Sequence, residues 1–342
     1  MKQLFATTLA VASLTSGAAF AQSWDAAIGT HRVGSSYYSV GTALAALLSD
    51  HTTARAAVQP HSGPNAWMPA LSNGEIAFGL ASVVDTSWAF NGGPGYDEAV
   101  TNLRMLVNGG SQDFIGLATL EQSDVARTAD VAGKRVTVGF GGNFFSNALV
   151  EAHLASVGID FDDIQSVPVP DTQTSIDMLR SGRADVSVGL TPTTPAIMDL
   201  NSARAVRPLS FGDLAMEDID QGISENMTEV LDEYLPGATL GVVEAGTGIV
   251  KDGLVSIRFD IQMVSTTEIS DEHVYETTEA IWANYEQLHD SHPIGVWTPE
   301  RMVPTSFNVP YHQGAVDFFE DEGIWTDEHQ ARQEELLSGI EG

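Results

Sequence analysis

The sequence has no cysteine in 342 residues, which excludes a disulfide framework, thiolate catalysis and a Cys-ligated zinc site. Positive charge is scarce: 15 Lys and Arg face 46 Asp and Glu, a formal net charge of −31. That balance disfavours a nucleic-acid partner, because phosphate contacts draw on Lys and Arg. Lysine occurs only as Lys2, Lys134 and Lys251, so no polybasic patch for an anionic membrane surface is available. Beyond the first residues no apolar run approaches the roughly 18 that a spanning helix needs. No G-x-S-x-G, H-E-x-x-H or Walker-type glycine loop occurs, so neither catalysis nor a nucleotide cofactor is expected. His289-Asp290-Ser291-His292 brings two His together, but Pro293 ends any helix there and no further ligand is apparent. Asp160 to Asp163 and Glu217 to Asp220 lack the glycine and terminal glutamate of a calcium loop, so no metal is expected either.

What is present suits a folded chain. The composition is 43% apolar and 18% charged, enough for a real core, and the length points to about two domains. Met1-Lys2, the apolar run Leu4 to Leu14 and Ala19-Phe20-Ala21 together read as a secretory signal segment cleaved after Ala21. The remainder is expected to be exported and soluble. Its acidic residues are spread along the chain rather than gathered in a tail, which fits a solvated surface. Screening by a saline surrounding or the demand for solubility would each account for them.

The chain repeats one plan twice. Trp24 to Gly29 reads as a strand, Thr30 to Ser36 as a loop, and Tyr38 to Asp50 as a helix with Val40, Ala43, Leu44, Leu47 and Leu48 on one face. Arg135 to Gly139, Phe140 to Phe145 and Ser146 to Val157 repeat that strand, glycine-bearing turn and helix. Asn73 to Ser82 and Ser181 to Thr191 form a second matched pair, each a strand ending in Gly-Leu and a small polar residue. The spacing implies two α/β domains of similar plan. Ligands of open α/β sheets bind outside the carboxyl ends of the strands, so two such domains face each other across a cleft with a helix N-terminus on each wall. Strands at Leu103 to Val107, Asp113 to Leu120 and Ser256 to Val264 supply two crossings, and the helical region from Ser270 should pack on the first domain. The expected division is 22–113 with 265–342 as domain 1 and 114–264 as domain 2, a two-lobed type II-like binding-protein fold.

Gly29-Thr30-His31-Arg32-Val33-Gly34-Ser35-Ser36-Tyr37-Tyr38, with Gly41 after it, is similar to the G-T-G-S-x-G-G-x-Y-Y loop of the TAXI-type solute receptors of tripartite ATP-independent periplasmic (TRAP) transporters. Ser72-Asn73-Gly74-Glu75, Leu103-Arg104, Asp130 to Gly139, His292-Pro293 and Val309 to Ala315 also resemble that family, in order and over the length of the chain. The resemblance implies a monomeric periplasmic receptor that closes on a small solute and delivers it to an integral membrane permease driven by an ion gradient. Where the family carries Gly-Ser, this chain has His31-Arg32; S-G-T-E reads Asn143-Phe144-Phe145-Ser146, Q-S-D reads Ser82-Val83-Val84, and a cleft serine is Pro64 beside Asn65. These departures fall where a ligand would sit, so the family's glutamate-like ligands do not transfer.

The expected ligand is a small organic anion of carboxylate, amino acid or keto acid type. Arg32 is the foremost candidate, able to hold a carboxylate through two charge-assisted hydrogen bonds. Gly34 gives its loop the turn, while Ser35, Ser36, Asn143 and Ser146 cap helices and offer donors to the cleft. Tyr37 and Phe144 would cover apolar parts of a ligand; Asn65, Ser82, Thr191 and Thr193 complete the expected site. His31, Trp67 and Trp88 read as packing residues. Two alternatives stay open: a receptor for an ATP-driven importer, and a secreted α/β hydrolase or transferase.

Overall fold

The computed structural model describes residues 23–141, 143–220, 222 and 224–340; the expected signal segment, 1–21, lies outside the described residues. In chain order the first part holds β1 (Trp24–Thr30), α1 (Ser36–His51), β2 (Ala54–Pro60), α2 (Pro64–Ser72), β3 (Phe78–Ser82), α3 (Val83–Asn91) and the long β4 (Leu103–Phe114). The middle part holds β5 (Gly116–Leu120), β6 (Arg135–Val138), α4 (Phe144–Ser156), β7 (Gln165–Pro168), α5 (Thr172–Arg180), β8 (Val186–Leu190), α6 (Pro195–Ala203) and β9 (Val206–Pro208). Then α7 (Met216–Asp220) and α8 (Glu225–Tyr234) lead to β10 (Thr239–Val243) and β11 (Leu254–Thr266). The chain ends in α9 (Asp271–Asn284), α10 (Pro299–Met302), α11 (Gln313–Asp321) and α12 (Asp327–Ser338).

Two sheets result, and their plans correspond. In the first, β2, β1 and β3 are parallel neighbours and β11 runs antiparallel beside β3. In the second, β7, β6 and β8 are parallel and β5 runs antiparallel beside β8. Each parallel strand is followed by a helix whose apolar stripe covers the sheet. In α1, for example, Val40, Leu44, Leu47 and Leu48 are buried, and the Ser35 side chain accepts from the Tyr38 N–H to start the helix. On the opposite face, the Trp67 ring lies so close above Gly29 and Gly79 that a methyl group at either would collide with it. Hence glycine is required at both places.

The crossings pass beside one ladder. β4 and β11 pair antiparallel from Leu103↔Thr266 to Phe114↔Ile257, and Arg258 grips Asp113 through two hydrogen bonds of 3.0 and 2.9 Å. β10 joins the other edge of β11, so residues 239–266 contribute strands to the first sheet. The expected domain 2, ending at Val264, therefore takes in β10 and all but the last residues of β11, strands that pair in the first sheet. The alternation of Ile257, Phe259, Ile261 and Met263 identifies a strand but not the sheet it joins; pairing with β4 decides that. Helix α9 packs on α1, and Pro310 and His312 bond the backbone of Met105, so the C-terminal helices do sit on the first lobe. No described helix is long and apolar enough to cross a membrane.

At the start of β5 the chain turns at Gly116, with φ +63, against the buried His153 ring. A Cβ at Gly116 would overlap that ring and would also force a side chain into the left-handed region. Gly116→Ala is expected to destabilise the protein by about 2–4 kcal/mol in urea unfolding, the sum of overpacking and backbone strain. Gly133→Ala, with φ +74 but open space around its Cβ, should lose only about 1 kcal/mol.

Candidate functional site

The carboxyl ends of equivalent strands in the two lobes face each other. Arg32 after β1 and Ser62, Asn65 and Ala66 after β2 form one wall of a cleft pocket of about 610 Å³. Gly139 and Gly141 after β6 and Pro168, Val169 and Pro170 after β7 form the other. The volume is that of a small-molecule site, about 300–1,000 Å³. Loops on both walls lead into helices, α2 on one side and α4 and α5 on the other, whose N-terminal ends carry partial positive charge.

At the pocket, two polar contacts among the described residues join the two walls. Arg32 Nη1 lies 3.6 Å from Oδ2 of Asp171, whose Oδ1 caps α5 by accepting from the Thr174 N–H at 2.8 Å. Asn65 Oδ1 accepts from the Phe144 N–H at 3.4 Å, thereby serving the first turn of α4 from the opposite lobe, while its amide donates to Gly95 O at 3.3 Å. Gly95 lets this close: a Cβ there would strike the Phe144 ring and the Asn65 amide. The lobes are shut upon one another at this point.

Of the residues expected from sequence, Arg32 and Asn65 line the pocket and Phe144 sits at its closing contact. Gly34 has φ +88 and open space around its Cβ position, so it shapes the loop. Ser35, Ser82 and Asn143 are N-caps of α1, α3 and α4. Ser36 accepts from the Gln112 amide at 3.4 Å, and Tyr37 is buried and stacked on His31 with ring centroids 4.2 Å apart. Ser146 is buried in the first turn of α4, its N–H held by Asn143 Oδ1 at 3.2 Å. Thr191 and Thr193 do not join the pocket lining: Thr191 bonds Thr194, and the Ile249 N–H holds the loop through Pro192 O. Sequence reasoning passed over Asp171 and Asp85. Both carry a local signal, since Asp171 follows a strand and opens the helical Thr-Gln-Thr, and Ser82-Val83-Val84-Asp85 fits a capping box.

Asp85 is the electrostatic oddity of the first lobe. It is 2% exposed, and burial pushes its carboxyl up to about 6 even though Ser82 hydrogen bonds pull the other way. Its charge, added to burial, raises the Tyr37 and Tyr96 hydroxyls above their usual range. Burial also drives His31 down to about 4, so its imidazole is neutral at pH 7. Among the described residues, no group of three His, Cys, Asp or Glu could hold a metal ion.

With this geometry in place the kinship can be read. The model of the NMT1-like family matches residues 28–323. The chain belongs to the NMT1-like family. No curated protein matches it. Among solved structures it is similar to MatC from Rhodopseudomonas palustris with bound malate, with TM-score 0.52, 11% identity and coverage of 92% of this chain and 98% of that one. It is also similar to PhnD1 from Prochlorococcus marinus in complex with methylphosphonate, with TM-score 0.48, 9% identity and coverage of 88% and 99%. The alkanesulfonate-binding protein SsuA from Xanthomonas axonopodis pv. citri bound to MOPS matches with TM-score 0.47, 12% identity and coverage of 90% and 96%. This NMT1-like chain shares with MatC a fold of α/β sheets flanked by helices, here two sheets whose strand ends meet at the pocket.

The raised Asp85 carboxyl makes a stability prediction with a definite sign. The folded state holds this proton more tightly than the unfolded chain, so stability from this group is full below about pH 4 and is lost as pH rises through about 6. At about pH 7.5, Asp85→Asn should therefore raise unfolding free energy, by up to about 3 kcal/mol. Near pH 4 the gain should vanish when the same two proteins are unfolded in urea.

Proposed function

We propose that the protein is a periplasmic, TAXI-type solute receptor that captures a small organic acid and hands it to the permease of a TRAP transporter. The observation that carries the reading is the cleft pocket whose walls are the matched loops after β1, β2, β6 and β7. A hinged pair of lobes can close on a guest there, remove it from water and create a lobe-spanning face for a membrane partner to recognise. Arg32 supplies the cation for a carboxylate, and the N-termini of α2, α4 and α5 add partial positive charge. To hold the ligand, Arg32 exchanges Asp171 for the ligand carboxylate. The TRAP assignment rests on the ordered resemblance of Gly29 to Tyr38 and the later segments. A fold with the same two lobes holds malate in MatC, so such ligands are compatible with it.

Thermal melting against a panel of carboxylates, amino acids and keto acids tests the receptor reading. A true ligand at about 100 times its dissociation constant should stabilise by about 2.7 kcal/mol. Arg32→Ala should weaken that ligand at least about tenfold in calorimetry while leaving stability without ligand within about 0.5 kcal/mol, because the Arg32 side chain is 59% exposed. Equal affinity in the variant removes Arg32 from the site. Uptake into proteoliposomes holding the cognate permease should follow an imposed ion gradient without ATP; a strict need for ATP would instead select the importer alternative.

A further inference from the structure

The two walls of the pocket differ in what they can donate to a ligand. On the first, Arg32 offers its guanidinium, and α2 starts at Gly63 with no side chain capping it. On the second, the donors are already engaged. Asn147 Oδ1 accepts from the Gly139 and Phe140 N–H groups at 2.9 and 3.3 Å, and the Val169 N–H bonds Val138 O at 2.8 Å. Pro168 and Pro170 have no N–H and bring ring carbons instead. The helix ends on this side are answered as well: Asp171 Oδ1 accepts from the Thr174 N–H of α5. In α4, Asn65 Oδ1 accepts from the Phe144 N–H and Asn143 Oδ1 from the Ser146 N–H.

Charge is divided just as unevenly. Arg32 is the sole ionic side chain among the described lining residues, and the neighbouring His31, held down to about 4 by burial, is neutral at pH 7. Across from Arg32 stands Asp171, next in the chain to Pro170, with Oδ2 3.6 Å from Arg32 Nη1. A ligand carboxylate that takes Arg32 deprives Asp171 of this partner without releasing it, because Oδ1 stays tied to the start of α5. One guanidinium then answers two carboxylates. A further carboxylate at the far end of the ligand would meet no second cation among the lining residues. A small acid is shorter than the screening length of about 8 Å, so the far group would also feel the charge of Asp171.

We propose that Asp171 is a specificity-determining residue that rejects a second negative charge, so that the ligand is a monocarboxylate whose uncharged body lies against Pro168 and Pro170. This rests on the receptor reading and narrows its ligand class. Discrimination of this kind comes from a repulsive element as much as from the attractive one. The fold held in common with MatC does not decide the matter, because the charge at Asp171 belongs to this chain's own wall.

Calorimetry on the whole protein with acids paired by the absence or presence of a second carboxylate tests this: butanoate with succinate, pentanoate with glutarate, and pyruvate with oxaloacetate. The monocarboxylate of the binding pair should be tighter by at least about tenfold. Asp171→Asn keeps an N-cap oxygen for α5 and removes the charge. Its melting temperature without ligand should hold, while the preference shrinks to within about threefold, chiefly through tighter dicarboxylate binding. Asp171→Ser, a second neutral cap, should do the same, and Asp171→Glu should restore the preference. A dicarboxylate that binds the native protein as tightly as its partner, or a preference that survives both neutral variants, overturns the role of Asp171 and leaves the receptor reading standing. Alanine that binds more tightly than propanoate, with the gain lost in Asp171→Asn, overturns it too, by placing a cation on Asp171. If none of these acids binds, the charge filter and the organic-acid reading fall together.

Discussion

The antiparallel ladder between β4 and β11 is the constraint on which the arrangement depends. β11 is bordered by β4 on one edge and by β3 and β10 on the other, so it ties together strands from widely separated parts of the chain. Asp260 binds Arg301, and Gly109 and Gly110 admit Trp297 and the Ile294 carbonyl against the bare backbone of β4, which fastens the C-terminal segment to the same strand. Because the chain leaves β4 for the second sheet at a single glycine beside this ladder, the second sheet is delivered with its strand ends turned toward those of the first. The cleft is thus a product of pairing, and the loops only furnish it.

This separates what was legible in the sequence from what was not. The strand, turn and helix units were legible because their signals are local: the glycine-bearing turns after β1 and β6, the apolar stripe of α1, and capping residues such as Ser35 and Asn143. Trp67 and His31 were readable as packing residues, and the structure places one above two strand glycines and the other against Tyr37. The cross-cleft partners were not legible. Nothing near Arg32 in sequence announces Asp171, which arrives from another sheet, and nothing near Asn65 announces Phe144. Thr191 and Thr193 show the opposite failure: they end a strand equivalent to β3, but the turn around Ile249 holds their loop aside.

Buried ionisable groups pull the fold in opposite directions as pH changes. His31 and His153 are held neutral by burial, at about 4 and about 3, so acid below about pH 6.5 works against the folded state through them. Asp85 acts in the reverse sense between about pH 4 and about 6. The imidazole of His153 sits at the crossing glycine with neither nitrogen bonded among the described residues, whereas Asp85 sits in the first turn of α3. One therefore bears on the join between lobes and the other on the interior of the first lobe.

The fastening across the mouth is slight. A largely exposed ion pair contributes about 0–1 kcal/mol, and a 3.4 Å amide contact is at the long limit for a hydrogen bond. Contacts this weak cost little to part, so a guest that favours the shut form would add appreciably to its population. Weak self-closure makes shape a truthful report of occupancy: a membrane partner that reads only the shut form would seldom be engaged by an empty carrier.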